Sequence, residues 1–350
     1  MQNRYGRRIA LRALGALVVF LASTSLVSAQ EAKAGKTLRV GIIGLDTSHV
    51  IAFTKVINNP KATGDLADIK VVAGFPGGTD IPASRDRVKK FTEQLKGMGL
   101  EIVDSIPALL KKVDVVLLES VDGRPHLEQV IPVFKAGKPV FIDKPLAGTL
   151  ADAIAIEQLG KKYKTPWFSS SSLRFSPGIL EFRLEHKKIG KITGCDAWGP
   201  CPVEATHPDL FWYGVHGVET LFTVMGPGCV TVTRVRTEGT DLVTGVWSDG
   251  RIGTFRGIRQ GKRGYGAMVF GEKGMSPSGG YGGYEPLVQR IATFFKTHKP
   301  AVDHGETLEI FAFMEAADES KRQGGKTVSI SDVMAKARKQ AAERIEKLDP

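Results

Sequence analysis

The chain has 350 residues, 42% of them hydrophobic and 24% charged, with a formal net charge of +11. That length suits about two domains, and the balance excludes a disordered or collagen-like chain. The basic residues are scattered through helix-like stretches without a dense tract, which describes a solvated surface and not a nucleic-acid-binding face.

The first elements belong to residues 1–29. "MQNRYGRRIALR" carries four arginines and no acid, and "ALGALVVFLASTSLV" is an apolar run too short for a membrane span. Val27 and Ala29 are small residues at cleavage spacing, so the segment reads as a signal peptide cut after Ala29, with an uncleaved anchor as the alternative. The mature protein is then exported, periplasmic or secreted, and free of the membrane. Arg7-Arg8 admits the twin-arginine route. Losing the four arginines lowers the net charge from +11 to +7. Cys195, Cys201 and Cys229 define neither a disulfide framework nor a metal site. A Cys195–Cys201 bridge and free, partly buried thiols remain alternatives.

From Thr37 the pattern alternates. Strands are predicted at Leu38 to Gly44, Lys70 to Phe75, Glu101 to Val103, Asp114 to Ser120 and Pro139 to Asp143. Helices are predicted at Thr47 to Asn58, Ser84 to Met98, Ile106 to Val113 and His126 to Ala136. Val88, Phe91, Leu95 and Met98 form one stripe of the second helix. Continuous apolar strands alternating with helices predict a parallel sheet covered on both faces, with ligands at the carboxyl ends of its strands. Beyond residue 190, "VTVTRVRT", "LVTGVWSDGRIGTFRGI" and "YGAMVFG" alternate apolar and polar residues, and Asp249-Gly250 marks a hairpin. This predicts antiparallel sheet. "GEKGMSPSGGYGGYEP" reads as a mobile glycine-rich loop. Helices are predicted at Pro286 to Lys296, Thr307 to Gln323 and, amphipathically, Ser331 to Leu348.

Five stretches, "AGKPVFIDKPLAGTL", "LRFSP", "WYGVHGVETLFTVMG", "VFGEKG" and "AADESKRQGGKTVSI", together resemble the Gfo/Idh/MocA oxidoreductases over about residues 37–330. "AGKPVFIDKPLAGTL" is similar to that family's A-G-K-x-V-x-x-E-K-P-L-A signature, with Asp143 for the usual glutamate. "LRFSP", "WYGVHGVETLFTVMG", "VFGEKG" and "AADESKRQGGKTVSI" match later landmarks. The resemblance implies a doubly wound Rossmann domain (37–148), then an α/β domain with a mixed, mainly antiparallel sheet (149–330), closed by the helix at 331–350. It implies NAD or NADP and a sugar or polyol substrate; a homo-oligomer through the second sheet and a monomer stay open as alternatives. Lys144 corresponds to the family's active-site lysine, where an ammonium can polarise an oxygen or pass a proton. His216 corresponds to its histidine, the natural general base.

Departures accompany the match. Trp212 stands where the family has an aspartate, although Glu219 keeps an acid three residues after His216. His207 and Asp209 are possible substitutes or plain loop residues. The second strand ends "AGFPGG", without the acid that grips ribose hydroxyls. Ser84 and Arg85 suit either a 2′-phosphate or, preferably, a helix cap with a solvated arginine. "SVDGRPH" replaces T-P-N-x-x-H, leaving Asp122, Gly123 and His126 near the cofactor face.

The turn after the first strand matters most. A dinucleotide loop reads G-x-G-x-x-G, whereas here it reads Gly44, Leu45, Asp46, Thr47, Ser48, His49. A carboxylate aimed at the pyrophosphate would weaken binding on the order of tenfold. Alternatively Asp46 turns aside, and Thr47, Ser48 and the helix amides hold the phosphates. Gly44, Asp46, Thr47, Ser48, His49, Asp122, Gly123, His126, Asp143 and Lys144 are therefore the candidate cofactor residues, and Lys144 and His216 the candidate catalytic pair. Two functions follow: an NAD(P)-dependent oxidoreductase of CH–OH groups, or a redox-inactive carbohydrate-binding or interaction module on the same scaffold.

Overall fold

The computed structural model describes residues 37–184 and 189–350. The expected signal peptide lies outside the described residues. The described residues fall within one compact unit.

Its first layer follows the apolar runs. In chain order come β1 (Leu38–Ile43), α1 (Ser48–Ile57), β2 (Ile69–Phe75), α2 (Pro82–Arg85), α3 (Val88–Gly97) and β3 (Glu101–Ile102). There follow α4 (Ile106–Leu110), β4 (Val115–Leu118), α5 (His126–Lys135), β5 (Val140–Ile142), α6 (Leu150–Lys162) and β6 (Trp167–Ser169). The strands make one parallel sheet in the order β3-β2-β1-β4-β5-β6. The central strands β4 and β5 are buried at every position, as helices on both faces require.

Two expectations change here. The helix predicted from Ser84 to Met98 is broken into α2 and α3 at Asp86-Arg87, where Arg87 leaves helical geometry with φ −120° and ψ −27°. The parallel sheet also runs past residue 148, because Trp167–Ser169 adds a sixth strand beside β5.

The second layer contains α7 (Pro177–Leu184), β7 (Ile192–Pro200), α8 (Asp209–Trp212), α9 (Val215–Met225), β8 (Cys229–Arg236), β9 (Thr240–Trp247) and β10 (Ile252–Ile258). It ends with β11 (Gly266–Gly271), β12 (Gly274–Pro277), α10 (Glu285–Thr297), α11 (His304–Arg322), β13 (Val328–Ser329) and α12 (Ile330–Leu348). The sheet order is β12-β11-β7-β10-β9-β8-β13, antiparallel except for the β7–β10 pair. Gly217 lets α9 lie on this sheet, since a Cβ there would collide with the Phe255 ring. Part of the segment expected as a mobile loop is β12, an edge strand paired with β11.

The two layers are interleaved. Leu287, Val288, Ile291 and Phe294 of α10 pack into the core that holds Val40, Phe53 and Phe141 of the first layer. The last helix returns to α6, and Asp349 accepts hydrogen bonds from Lys162 and Tyr163. The cysteines are all free and buried, so the bridge considered for Cys195–Cys201 is not formed. Burial pushes the Cys201 thiol up to about 12.

Candidate active site

The first turn is built by its glycine. Gly44 has φ +84°, and a Cβ there would collide with Ser120 at the end of β4. Its N–H donates to the Phe75 carbonyl at 2.9 Å and that of Leu45 to the Pro76 carbonyl at 2.8 Å, so the chain after β2 folds over the turn.

Asp46 turns away from the helix end. It is fully buried, with Oδ2 accepting from the Ser84 hydroxyl at 2.6 Å and Oδ1 from the Val121 N–H at 2.9 Å. Burial raises its pKa, and these hydrogen bonds limit the rise. Ser84 is therefore committed to Asp46 and caps no helix, while Arg85 pairs with Asp86 at the surface.

The start of α1 is left open to a ligand. Thr47 caps it, there is no acid in its first turn, and Thr47, Ser48 and His49 line a cavity of ≈ 280 Å³. Lys144 and His216 line the same cavity, as do Arg87, Tyr213, Tyr265, Tyr281 and Tyr284. This volume sits near the lower end for small-molecule sites. Lys144 follows β5, and its Nζ lies 5.4 Å from the Tyr213 ring centroid. His216, on α9, has Nδ1 2.7 Å from the Ser171 hydroxyl. Burial, and then the neighbouring Lys144 and His49, drive its pKa well below the usual histidine value, so the imidazole is neutral. Burial raises the phenol groups of Tyr265, Tyr281 and Tyr284, which stay protonated.

The other candidates lie behind this wall. His126 is buried with its nitrogens 3.1 Å from the Leu146 carbonyl and 2.9 Å from that of Ser120. It ties two loops together. Gly123 packs against the Ala147 backbone. Burial pushes Asp122 up, but His207, with Nε2 3.1 Å away, and hydrogen bonds from Arg124 outweigh it and hold the carboxylate well below its usual range. Arg124 also reaches Asp80, joining the loops after β2 and β4. Glu219 is buried against Arg174 and Ser170, and Asp209 pairs with Arg234 and Lys321. Asp143 faces inward, its Oδ2 2.5 Å from His49 Nδ1. Glu119 is fully buried beside it, and the three side chains offer ligand atoms within 4.8 Å of one another.

Residues 38–169 match an oxidoreductase family with an NAD-binding Rossmann fold. Over that stretch the chain is similar to the Gfo/Idh/MocA oxidoreductases. YceM of Salmonella typhimurium, an oxidoreductase by name, is 29% identical over 195 residues, covering 55% of this chain and 57% of that one. Inositol 2-dehydrogenase 3 of Saccharopolyspora erythraea is 26% identical over 222 residues, covering 58% of each. The chain thus spans a little over half the length of these curated relatives. In fold it is similar to the Lactobacillus casei scyllo-inositol dehydrogenase solved with NAD(H) and scyllo-inositol, with TM-score 0.66 and 16% identity over 85% of this chain and 100% of that one.

The residues present fit the family's cofactor. The glycine turn survives at Gly44, the start of α1 carries no competing acid, and the one carboxylate in the loop is turned inward.

Proposed function

We propose that this protein is an NAD(P)-dependent oxidoreductase acting on the CH–OH group of a sugar, a polyol or a related alcohol. The observation that carries the reading is the convergence of Lys144 and His216, from different layers, on one cavity with the open start of α1. A bound nicotinamide supplies the hydride acceptor. Thr47, Ser48 and the first amides of α1 would hold its phosphates, with Arg87 lining the same cavity. Lys144 polarises the substrate oxygen, and the neutral His216 hydrogen-bonds the reacting group. The tyrosines offer hydroxyls and ring faces, which suit a polyhydroxylated ring. The relatives named for inositol support this substrate class.

Cofactor absorbance, followed with NAD and NADP against a panel of sugars, polyols and inositols, tests the reading. Turnover with at least one alcohol is expected, falling about 10²–10⁴-fold in Lys144→Ala with the fold retained. No turnover with any of them, together with saturable carbohydrate binding, would establish the redox-inactive module instead. The N-terminal segment adds export to the proposal. A soluble cytoplasmic protein still starting at Met1 would remove that part.

A further inference from the structure

His49 stands where a dinucleotide loop has its third glycine, and Asp143 where the resembling signature has glutamate. These two departures, 94 residues apart, meet in one hydrogen bond of 2.5 Å. We propose that His49 is the proton-accepting base of the cavity, positioned by Asp143, and that His216 serves as a neutral hydrogen-bond donor. The assignment of the accepted proton to a substrate alcohol rests on the oxidoreductase reading above.

The polarity follows from the partners. An ionised carboxylate only accepts, so the hydrogen between His49 and Asp143 belongs to Nδ1. The neutral ring then carries its lone pair on Nε2, which has no hydrogen-bond partner among the described residues, and His49 lines the cavity. His216 is the reverse case. Ser171 Oγ accepts the Leu173 N–H at 3.2 Å and has its own hydrogen to offer Nδ1; in the arrangement proposed it donates, and the His216 hydrogen is on Nε2. The two rings thus face one cavity as acceptor and donor.

The surroundings reinforce the difference. Facing His49 are Asp143 and Glu119 from the strand ends, the neighbouring Lys144, Tyr284 before α10, and His216. Burial and then the charge of Asp143 raise Glu119 well above the usual carboxyl range, so it stays protonated. Burial opposes the charge on Asp143, but His49 and Lys144 outweigh it and keep Asp143 ionised. A proton arriving on His49 Nε2 lands on a ring whose Nδ1 is held by the Asp143 carboxylate at 2.5 Å, whereas His216 has only the Ser171 hydroxyl at its Nδ1. In the oxidation, the O–H proton passes to His49 Nε2. The oxidised nicotinamide of the reading above would take the C–H hydrogen with its electron pair, which would leave the carbon as a carbonyl. The imidazolium then returns its proton to water.

Nitrogen-15 NMR of histidine-labelled full-length protein tests the pair without any turnover, with His49→Gln assigning the signal among the seven histidines. The expected result is His49 protonated on Nδ1 and His216 on Nε2 in their neutral forms. Turnover of an accepted alcohol should fall about 10²–10⁴-fold in His49→Gln, mainly in kcat. The acidic limb of the pH profile should vanish with it and move to lower pH in Asp143→Asn. A hydrogen on His49 Nε2, or a His49→Gln protein that keeps both its rate and its acidic limb, overturns the proposal. The expected tautomers in a wild-type protein that oxidises no alcohol would support the pair and remove only the dehydrogenase reading.

Discussion

The two layers bury charge in opposite ways. In the second layer, Arg234 is completely enclosed and satisfied, its Nε donating to Asp241 at 2.9 Å, Nη2 to Asp209 at 2.8 Å and Nη1 to Asp318. Arg259 and Lys321 add further cations, so every acid in that cluster has a basic partner. At the strand ends of the first layer, His49, Asp143 and Glu119 hold an excess of acid, and neither oxygen of Glu119 finds a partner with good geometry. A balanced buried cluster fixes a shape. An unbalanced one, next to a cavity, keeps groups whose protonation can change.

The largest test of this contrast is Arg234→Met. It leaves Asp241, Asp209 and Asp318 without their shared cation, and breaking one side of a buried ion pair costs about 3–5 kcal/mol. Chemical denaturation should show that loss. A smaller one would mean that water reaches the cluster.

Asp46→Ala comes next. It removes two hydrogen bonds and leaves the Ser84 hydroxyl and the Val121 N–H buried without acceptors. At about 1–3 kcal/mol for each orphaned group, an unfolding loss near 2 kcal/mol is expected once burial relief of the carboxylate is set against it. Unchanged stability would show that the loops after β2 and β4 hold the turn without Asp46.

Much of the fold was legible because continuous apolar runs and turn residues mark strands without reference to anything distant. The order of strands and helices, and the change to antiparallel sheet, follow from that periodicity. The site was legible only in part. Lys144 and His216 could be singled out because each lies in a stretch that resembles a family landmark, and the start of α1 because it follows a strand at a glycine turn. β6 escaped because three residues carry too little pattern. Tyr281 and Tyr284 escaped because they sit in a glycine-rich stretch whose local chemistry says only loop. Arg87 carries no local signal of its own in the sequence, and lines the cavity because the helix breaks beside it. The contact between His49 and Asp143 joins residues 94 apart, and no local spacing encodes it.

Glu119→Gln tests the unbalanced cluster through pH. The carboxyl keeps its proton in the folded protein to a pH well above the ordinary value and loses it in the unfolded chain near pH 4.3. The folded state therefore binds more protons across that window, and wild-type stability falls as pH rises through it. The slope from this one group is at most about 1.4 kcal/mol per pH unit. Glutamine is neutral throughout, so the variant should gain on the wild type as pH rises from about 4.3 to the folded value. Parallel denaturation curves at several pH values would show the difference. A constant offset would place Glu119 among the ordinary ionised carboxylates.

The smallest effect concerns the loop that departs most from a dinucleotide motif. If the Asp46 carboxylate faced the pyrophosphate, removing its charge would tighten binding on the order of tenfold. Its oxygens are instead taken by Ser84 and Val121, and the start of α1 is free of it. Asp46→Asn preserves an acceptor for the Val121 N–H, and its amide can donate to the Ser84 oxygen, so the turn should survive. Calorimetric titration with NAD and NADP should then give affinities within about threefold of the wild type, or ~0.6 kcal/mol. A tenfold gain would mean that the carboxylate swings toward the ligand when the cofactor enters. A tenfold loss would mean that its charge, and not only its hydrogen bonds, holds Arg87 and the start of α1 in place.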